Sequence, residues 1–387
     1  MSKSGSIAPL QGIGRAQSGL LIAETSFEVI AALSGSRFDF LSFEAKLEQE
    51  HAPRIDKREA PGVYETICRK QKGTWALDSY LLPSGTAGTP PDISDLLIAA
   101  GFTHTNTPAT SDAYTLRNGL DSFSLLRDSE NVSELLHGCL AEELKISFDG
   151  TAEAKLSLSG KAADVKRAGV TTLAAPLAAL AATATLVEAE YYDVGAYIQF
   201  DGDPGPYKIT TIDLVTNVIG ISPVAAIGAA NGSTVSPTIP AGATAGSPVC
   251  GNFGSLVVGG NTLTATSGSV TCGWTVWTTD GVFGRNRYSS NFALVERSVK
   301  FELSLYADNI NLLEYFRSRA THGVGTGSTA MTLALGTIAG SIVEVSLPYS
   351  QFDLASLTVP DADGNMLSLA GTALANAGND ELVLTYK

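Results

Sequence analysis

The apolar positions of this chain recur mostly with a period of two. In "EELKISFDGTAEAKLSLSG" (Glu142 to Gly160), Leu144, Ile146 and Phe148 alternate with polar residues, Leu156 and Leu158 do so on the return, and Asp149-Gly150 supplies a turn. That pattern predicts a hairpin with one wet and one dry face. "VKFELSLY" sets Phe301, Leu303 and Leu305 against Lys300, Glu302 and Ser304. "SIVEVSLP" sets Val343, Val345 and Leu347 against Ile342, Glu344 and Ser346, and "DELVLTYK" aligns Leu382, Leu384 and Tyr386. Alternation of this kind belongs to antiparallel sheets. Glu302, Ser304, Glu344 and Ser346 are therefore candidates for the wet face of a β wall. Alternation alone leaves open whether that face is a lumen or an exterior.

A helical period occurs in two places. In "GTPPDISDLLIAAGF" (Gly88 to Phe102) two prolines stop the preceding chain and Asp92 can cap a first turn. Ile93, Leu96, Leu97 and Ala100 then share one face, and Gly101 can end the helix in the left-handed region. In "DNINLLEYFRSRAT", Asp308 can cap a helix carrying Ile310, Leu313 and Phe316 or Arg317 at helical spacing. Both stretches lie between strand signals. The expectation is a mainly β fold, an antiparallel sandwich or barrel with one or two short flanking helices, and not repeated βαβ units.

The pattern shifts near residue 169. From there to about residue 250 the chain is rich in Ala and Thr, and Glu188, Glu190, Asp193, Asp201, Asp203 and Asp213 face a single base, Lys208. Its centre reads as short strands, "AYIQF", "YKITTID" and "NVIGIS", and its flanks read as low-complexity linkers. Residues 169–250 are thus expected to be a small all-β module inserted into a host domain built from 1–168 and 251–387. The opening "MSKSGSIAPLQGIGRAQSG" has no apolar core of a secretory signal and reads as a flexible polar arm.

Composition narrows the function. Of 387 residues, 44% are hydrophobic and 17% charged, enough apolar material for a core, and the formal charge is −14. An acidic surface repels nucleic acid and anionic membranes, and no apolar run reaches the ~18 residues of a membrane helix. The four cysteines, at 68, 139, 250 and 272, form no CxxC and read as small buried hydrophobes.

Enzyme chemistry finds little support. The Gly-rich "HGVGTGSTAM" (His322 to Met331) follows a helix signal and leads into a strand, the reverse of a dinucleotide fingerprint. His51, His104, His137 and His322 are not at metal spacings. "DADGN" (Asp361 to Asn365) and "DGDPG" (Asp201 to Gly205) lack the downstream ligands of a calcium loop and read as turns. No Gly-x-Ser-x-Gly elbow and no cofactor motif occurs. The basic stretches "RIDKRE" (Arg54 to Glu59) and "GRNR" (Gly284 to Arg287) are short; Arg285 and Arg287 suit a solvated loop or ion pairs to a neighbouring subunit. Trp277 lies on the otherwise polar face of its strand, which suits an edge cover or a subunit contact.

The order of segments is itself informative. "LDSYLLPSGTAGTPPDISDLLIAAGF" is followed by "AYTLRNGLDSFSLLRDSENVSELLHGCLAEELKISFDGTAEAKLSLSGK", and later by "MTLALGTIAGSIVEVSLPYSQF" and "NAGNDELVLTYK". This set resembles the tail tube proteins, or major tail proteins, of long-tailed bacteriophages. The resemblance rests on the helix at Pro91 to Phe102, the segment Leu136 to Cys139 leading into a hairpin, and the terminal Asn379 to Lys387. It covers roughly residues 15–168 and 251–387; the 169–250 segment departs from a plain tube protein and reads as a decoration.

The resemblance implies a structural virion protein with no cofactor. Its copies would form stacked hexameric rings whose acidic or neutral lumen conducts DNA without binding it. The implied partners are further copies of itself, a tape measure protein inside the tube, and tail terminator and distal tail proteins at its ends, with no membrane. The implied place is the virion tail, of the long non-contractile type, assembled in the bacterial host cytoplasm. A β-rich virion adhesin or carbohydrate-binding protein, with residues 169–250 as its binding unit, is the alternative.

Overall fold

The structure, a computed structural model, describes residues 17–30, 32–54, 66–129, 132–238, 246–279, 292–307, 316, 329–359 and 364–387. Strands make up 62% of it and helix 3%, all sheets being antiparallel, so the period-two pattern governs the fold. The first part contains β1 (Ser18–Ser26), β2 (Val29–Ile30), β3 (Ser36–Phe38), β4 (Ser42–Pro53), β5 (Thr66–Tyr80), α1 (Ser94–Ala99), β6 (Phe102–Thr107), β7 (Ser111–Leu116), β8 (Phe123–Asp128), β9 (Ser133–Asp149), β10 (Ala152–Ala162) and β11 (Asp164–Ala168). The middle holds β12 (Thr171–Thr172), β13 (Thr183–Thr185), β14 (Tyr197–Phe200), β15 (Asp203–Asp213), β16 (Val218–Ser222) and β17 (Thr234–Pro237). The last part holds β18 (Gly254–Val258), β19 (Asn261–Leu263), β20 (Ala265–Thr278), β21 (Phe292–Tyr306), β22 (Thr329–Leu335), β23 (Val343–Phe352), β24 (Ser356–Thr358), β25 (Met366–Ala373) and β26 (Val383–Tyr386).

The first and last parts interleave in a sandwich. A long sheet runs β4-β5-β10-β9-β20-β21-β25 and continues into β23, which carries β22 on one edge and β26 on the other. A small sheet runs β3-β1-β8-β9-β11. Strand β9 belongs to both: Ser133 to Cys139 pairs with β8, and Leu140 to Asp149 with β10. It turns the corner at Gly138, whose φ of +61° is a left-handed conformation that suits glycine. A Cβ there would also lie 2.8 Å from both Ala163 and Phe27.

Between the sheets lies one core. Leu21, Phe123, Leu125 and Leu136 of the small sheet face Trp75, Leu144, Leu156, Phe301 and Val345 of the long one. Trp75 and Phe123 bridge the layers edge to face at 5.6 Å. Each fully buried large side chain contributes about 1.5–3 kcal/mol.

Helix α1 closes the core from one side. Ile93, Leu96, Leu97 and Ala100 are all buried, as their spacing predicts. Gly101 ends the helix at φ +96°. The cap differs from expectation. The N-cap position is Ile93, with no side-chain cap bond, not Asp92. The turn Ser94 N–H to Pro91 O at 2.8 Å starts the helix instead, because the proline pair has already bent the chain. The helix expected from Asp308 lies outside the described residues except Phe316, which is buried against Phe352 at 5.2 Å.

The middle part forms a separate sheet, β12-β17-β14-β15-β16-β13, with its own core of Leu173, Leu186, Ile198, Phe200, Tyr207, Ile209, Ile219 and Val235. Its edges meet at the Leu173–Leu186 bridge, where Ala174 N–H donates to Thr185 O and Val187 N–H to Thr172 O, each at 2.9 Å. The sheet therefore closes into a small barrel. The flanks expected to be linkers are barrel wall: β12, β13 and β17 come from them, and Leu173, Leu177, Ala184 and Leu186 are buried. Small residues hid this, because Ala and Thr give little alternation yet fit a narrow barrel interior.

Candidate functional site

The outer face of the long sheet crosses seven successively paired strands, β4 to β25. Register places its polar residues in rows across the strands. One row is Asp78, Ser157, Lys145, Thr271, Lys300 and Thr372; the next is Tyr80, Lys155, Ser147, Ser269, Glu302 and Ala370. Hydroxyl side chains dominate, and lysines and acids are interspersed. A groove of about 500 Å³ crosses these strands, with Ser147, Ser267, Ser269, Ser304 and Ser368 on it, Lys145 and Glu302 among them, and Leu354 also lining it.

Glu302 and Ser304 thus sit in this groove. Glu344 and Ser346 lie on β23, on the side opposite buried Val343, Val345 and Leu347, and Glu344 accepts from Lys387 Nζ at 2.6 Å. Trp277 is 52% exposed near the end of β20, opposite Ala293. Arg285 and Arg287 lie outside the described residues.

One hairpin outruns the core. Along β4 and β5, Phe43, Trp75 and Leu77 are buried, but beyond Glu48 and Gln71 no residue of either strand is buried. Ile67 is exposed on this arm; Trp277 and Val295 are exposed on β20–β21, where Val276, Phe292 and Leu294 still pack on the core. Two-stranded ribbons are marginal on their own in water. Among the described residues β4 pairs with β5 and with no other strand, so one edge of a twelve-residue strand lacks a strand neighbour. Sequence reading missed the arm, because its alternation does not differ from that of core strands. The charge-dense "FEAKLEQEH" along β4 was the available signal, since edge strands carry charge.

Buried polar groups elsewhere are structural. Asp203, in the calcium-like "DGDPG", accepts from Tyr207 Oη at 2.6 Å and from Ile227 N–H at 2.9 Å. Burial pushes its pKa up, but these donors, with the backbone N–H groups around them, outweigh burial and hold it below the usual range. The remainder of "DADGN" before Gly364 is outside the described residues. Asp112, fully buried, accepts from His104 Nε2 at 2.8 Å and Asn106 Nδ2 at 2.6 Å. His137 Nδ1 lies 3.1 Å from Ser124 Oγ, and burial drives its pKa down to about 4 against the pull of Glu24 and Asp164.

Of the cysteines, Cys139 and Cys272 are buried as expected, and burial pushes both thiols up, Cys272 to about 12. The other two are corrections: Cys68 is exposed, because it sits on the arm beyond the core, and Cys250 is only half-buried. Among the described residues no group of three or more His, Cys, Asp or Glu is placed to hold a metal ion, and no helix is long and apolar enough to cross a membrane. No protein-family model matches the chain, and no curated protein matches it significantly.

Proposed function

We propose that this chain is a structural subunit that polymerises, and specifically a phage tail tube protein whose rings stack into a DNA conduit. The observation that carries the reading is the unfinished state of the sandwich. Among the described residues the long β4 edge lacks a strand neighbour, and the β4–β5 ribbon extends past the core with Ile67 exposed. An edge of that kind is a template for pairing with another chain. Copies joined edge to edge around a ring would satisfy it, and projecting arms would reach the next ring in a head-to-tail stack.

The outer face of the long sheet supports the same reading. Its lysines and acids are interspersed among serines and threonines, so it offers no run of positive charge on which a phosphate backbone would lodge. The net charge of −14 acts in the same direction. In this reading the ring is hexameric, the tape measure protein occupies the lumen during assembly, terminator and distal tail proteins close the ends, and the virion tail is the place of action. The barrel of residues 171–237 is a decoration on the host domain.

Negative-stain electron microscopy of the purified chain tests this. Hollow tubes or stacked rings are the expected result. Persistent monomers that bind glycans would replace the tube reading with that of an adhesin, with the barrel as its binding unit.

A further inference from the structure

Cysteine is among the most buried residue types, and an exposed free thiol is unusual on a protein surface. Cys68 is exposed on the arm, and its partner in the strand register is a histidine, His51. The Cys68 Sγ to His51 Nδ1 separation is 3.5 Å, a thiol–imidazole hydrogen bond that a metal ion would replace. Both side chains are on the solvent side of the ribbon, beyond the core, and a cation can reach them without any rearrangement of the fold.

That distance has a chemical meaning. A tetrahedral zinc ion sits about 2.3 Å from a thiolate sulfur and about 2.0–2.1 Å from an imidazole nitrogen, so the two donor atoms lie about 3.5 Å apart. The pair is already at the bite of the ion. A zinc-class cation is also the one this donor set favours, a soft sulfur with a borderline imidazole.

We propose that His51 and Cys68 form a two-donor chelate for a zinc-class cation, with water in the two remaining tetrahedral positions. On binding, the Cys68 S–H bond breaks, its proton passes to solvent, and the thiolate lone pair bonds the metal. His51 binds through neutral Nδ1, its proton carried on Nε2. The ion clasps β4 to β5 across a ribbon that has no core beneath it, fixing the geometry of the arm. The inference does not depend on the tube reading, since it needs one chain only.

The test is a cobalt(II) titration of the full-length, reduced, metal-free chain. Cobalt takes the same tetrahedral geometry and reports sulfur ligation by a thiolate-to-metal charge-transfer band in the near ultraviolet. One cobalt per chain with that band is the expected result. C68S should abolish the band, and H51A should weaken binding about tenfold or more, as loss of one of two ligands. C250S, altering a half-buried thiol away from the arm, should leave the titration unchanged. A wild-type chain without the band, or a band that persists in C68S, overturns the proposal. Saturation at one cobalt per two chains overturns the water-completed site, because the pair would then bridge two copies. Both altered residues are exposed, so circular dichroism should show an unchanged fold.

Discussion

The barrel and the sandwich solve the same problem in opposite ways. Both are antiparallel sheets, and every such sheet must dispose of its two edges. The barrel joins its edges at Leu173 and Leu186 and satisfies itself within about seventy residues, from Thr171 to Pro237. The sandwich is larger and has the bigger core, yet among the described residues β4 remains without a second strand neighbour. Core size and self-sufficiency are therefore different properties. The barrel joins its own edge strands, whereas among the described residues the sandwich leaves one edge of β4 without a strand partner.

The strongest test of this contrast is a charge in the sandwich core. Leu97 is fully buried on α1. L97D should destabilise the sandwich by ~4 kcal/mol or more, the cost of an unpaired buried charge. If the barrel is self-sufficient, calorimetry of this variant resolves a second transition that keeps its wild-type midpoint. A single transition shifted as a whole would show that the barrel depends on its host.

A somewhat smaller effect is expected at the seam. His137 lies on the small sheet and feels Glu24, Asp164 and Lys166 of the sandwich and Lys208 of the barrel. Tyr197 of the barrel packs there with Leu20, Ile22, Leu126 and Leu135. The folded pKa of about 4 lies below the ordinary 6.5, so the unfolded chain binds the proton more readily. Stability from this group is present above pH 6.5 and is lost as pH falls through that window towards 4, about 3 kcal/mol in all. Urea denaturation at several pH values should show this loss in the wild type, and H137N should flatten that part of the profile.

Within the barrel, Tyr207 Oη donates to Asp203 and accepts from Ala226 N–H at 2.8 Å. Y207F leaves both partners short of a bond and should cost about 1–3 kcal/mol. The shift should be confined to the barrel transition; a matching shift in the sandwich would argue that the two regions unfold as one. The smallest stability change is expected on the arm. Replacing residues 49–71 with an Asn-Gly turn removes no described residue that is buried, and should change the melting free energy by about 0.5 kcal/mol or less. The same variant should lose tube assembly altogether when viewed by electron microscopy. Normal tubes from it would refute a role for the arm in stacking.

Much of the secondary structure was legible. The β9–β10 hairpin, the buried faces of β21, β23 and β26, and the apolar stripe of α1 all follow from spacing, because burial on one face of a strand or helix imposes its period on the sequence. The barrel flanks were not legible, since Ala and Thr at β12 and β13 carry little contrast between in and out and β17 is only four residues long. The exposed thiol of Cys68 was equally hidden: a cysteine in an alternating strand reads as core until the strand is seen to leave the core.

By itself, then, the sequence determined which residues alternate, where the short helix lies, and that the chain is acidic and mainly β. These are local properties, set by side-chain period and composition. Tertiary structure alone decided that the middle sheet closes while β4 stays open, that β9 serves two sheets through Gly138, and that His51 meets Cys68. Each of these depends on which strand lies beside which. Strand pairing joins residues far apart in the chain, and the alternating code that identifies a strand is the same for every possible neighbour.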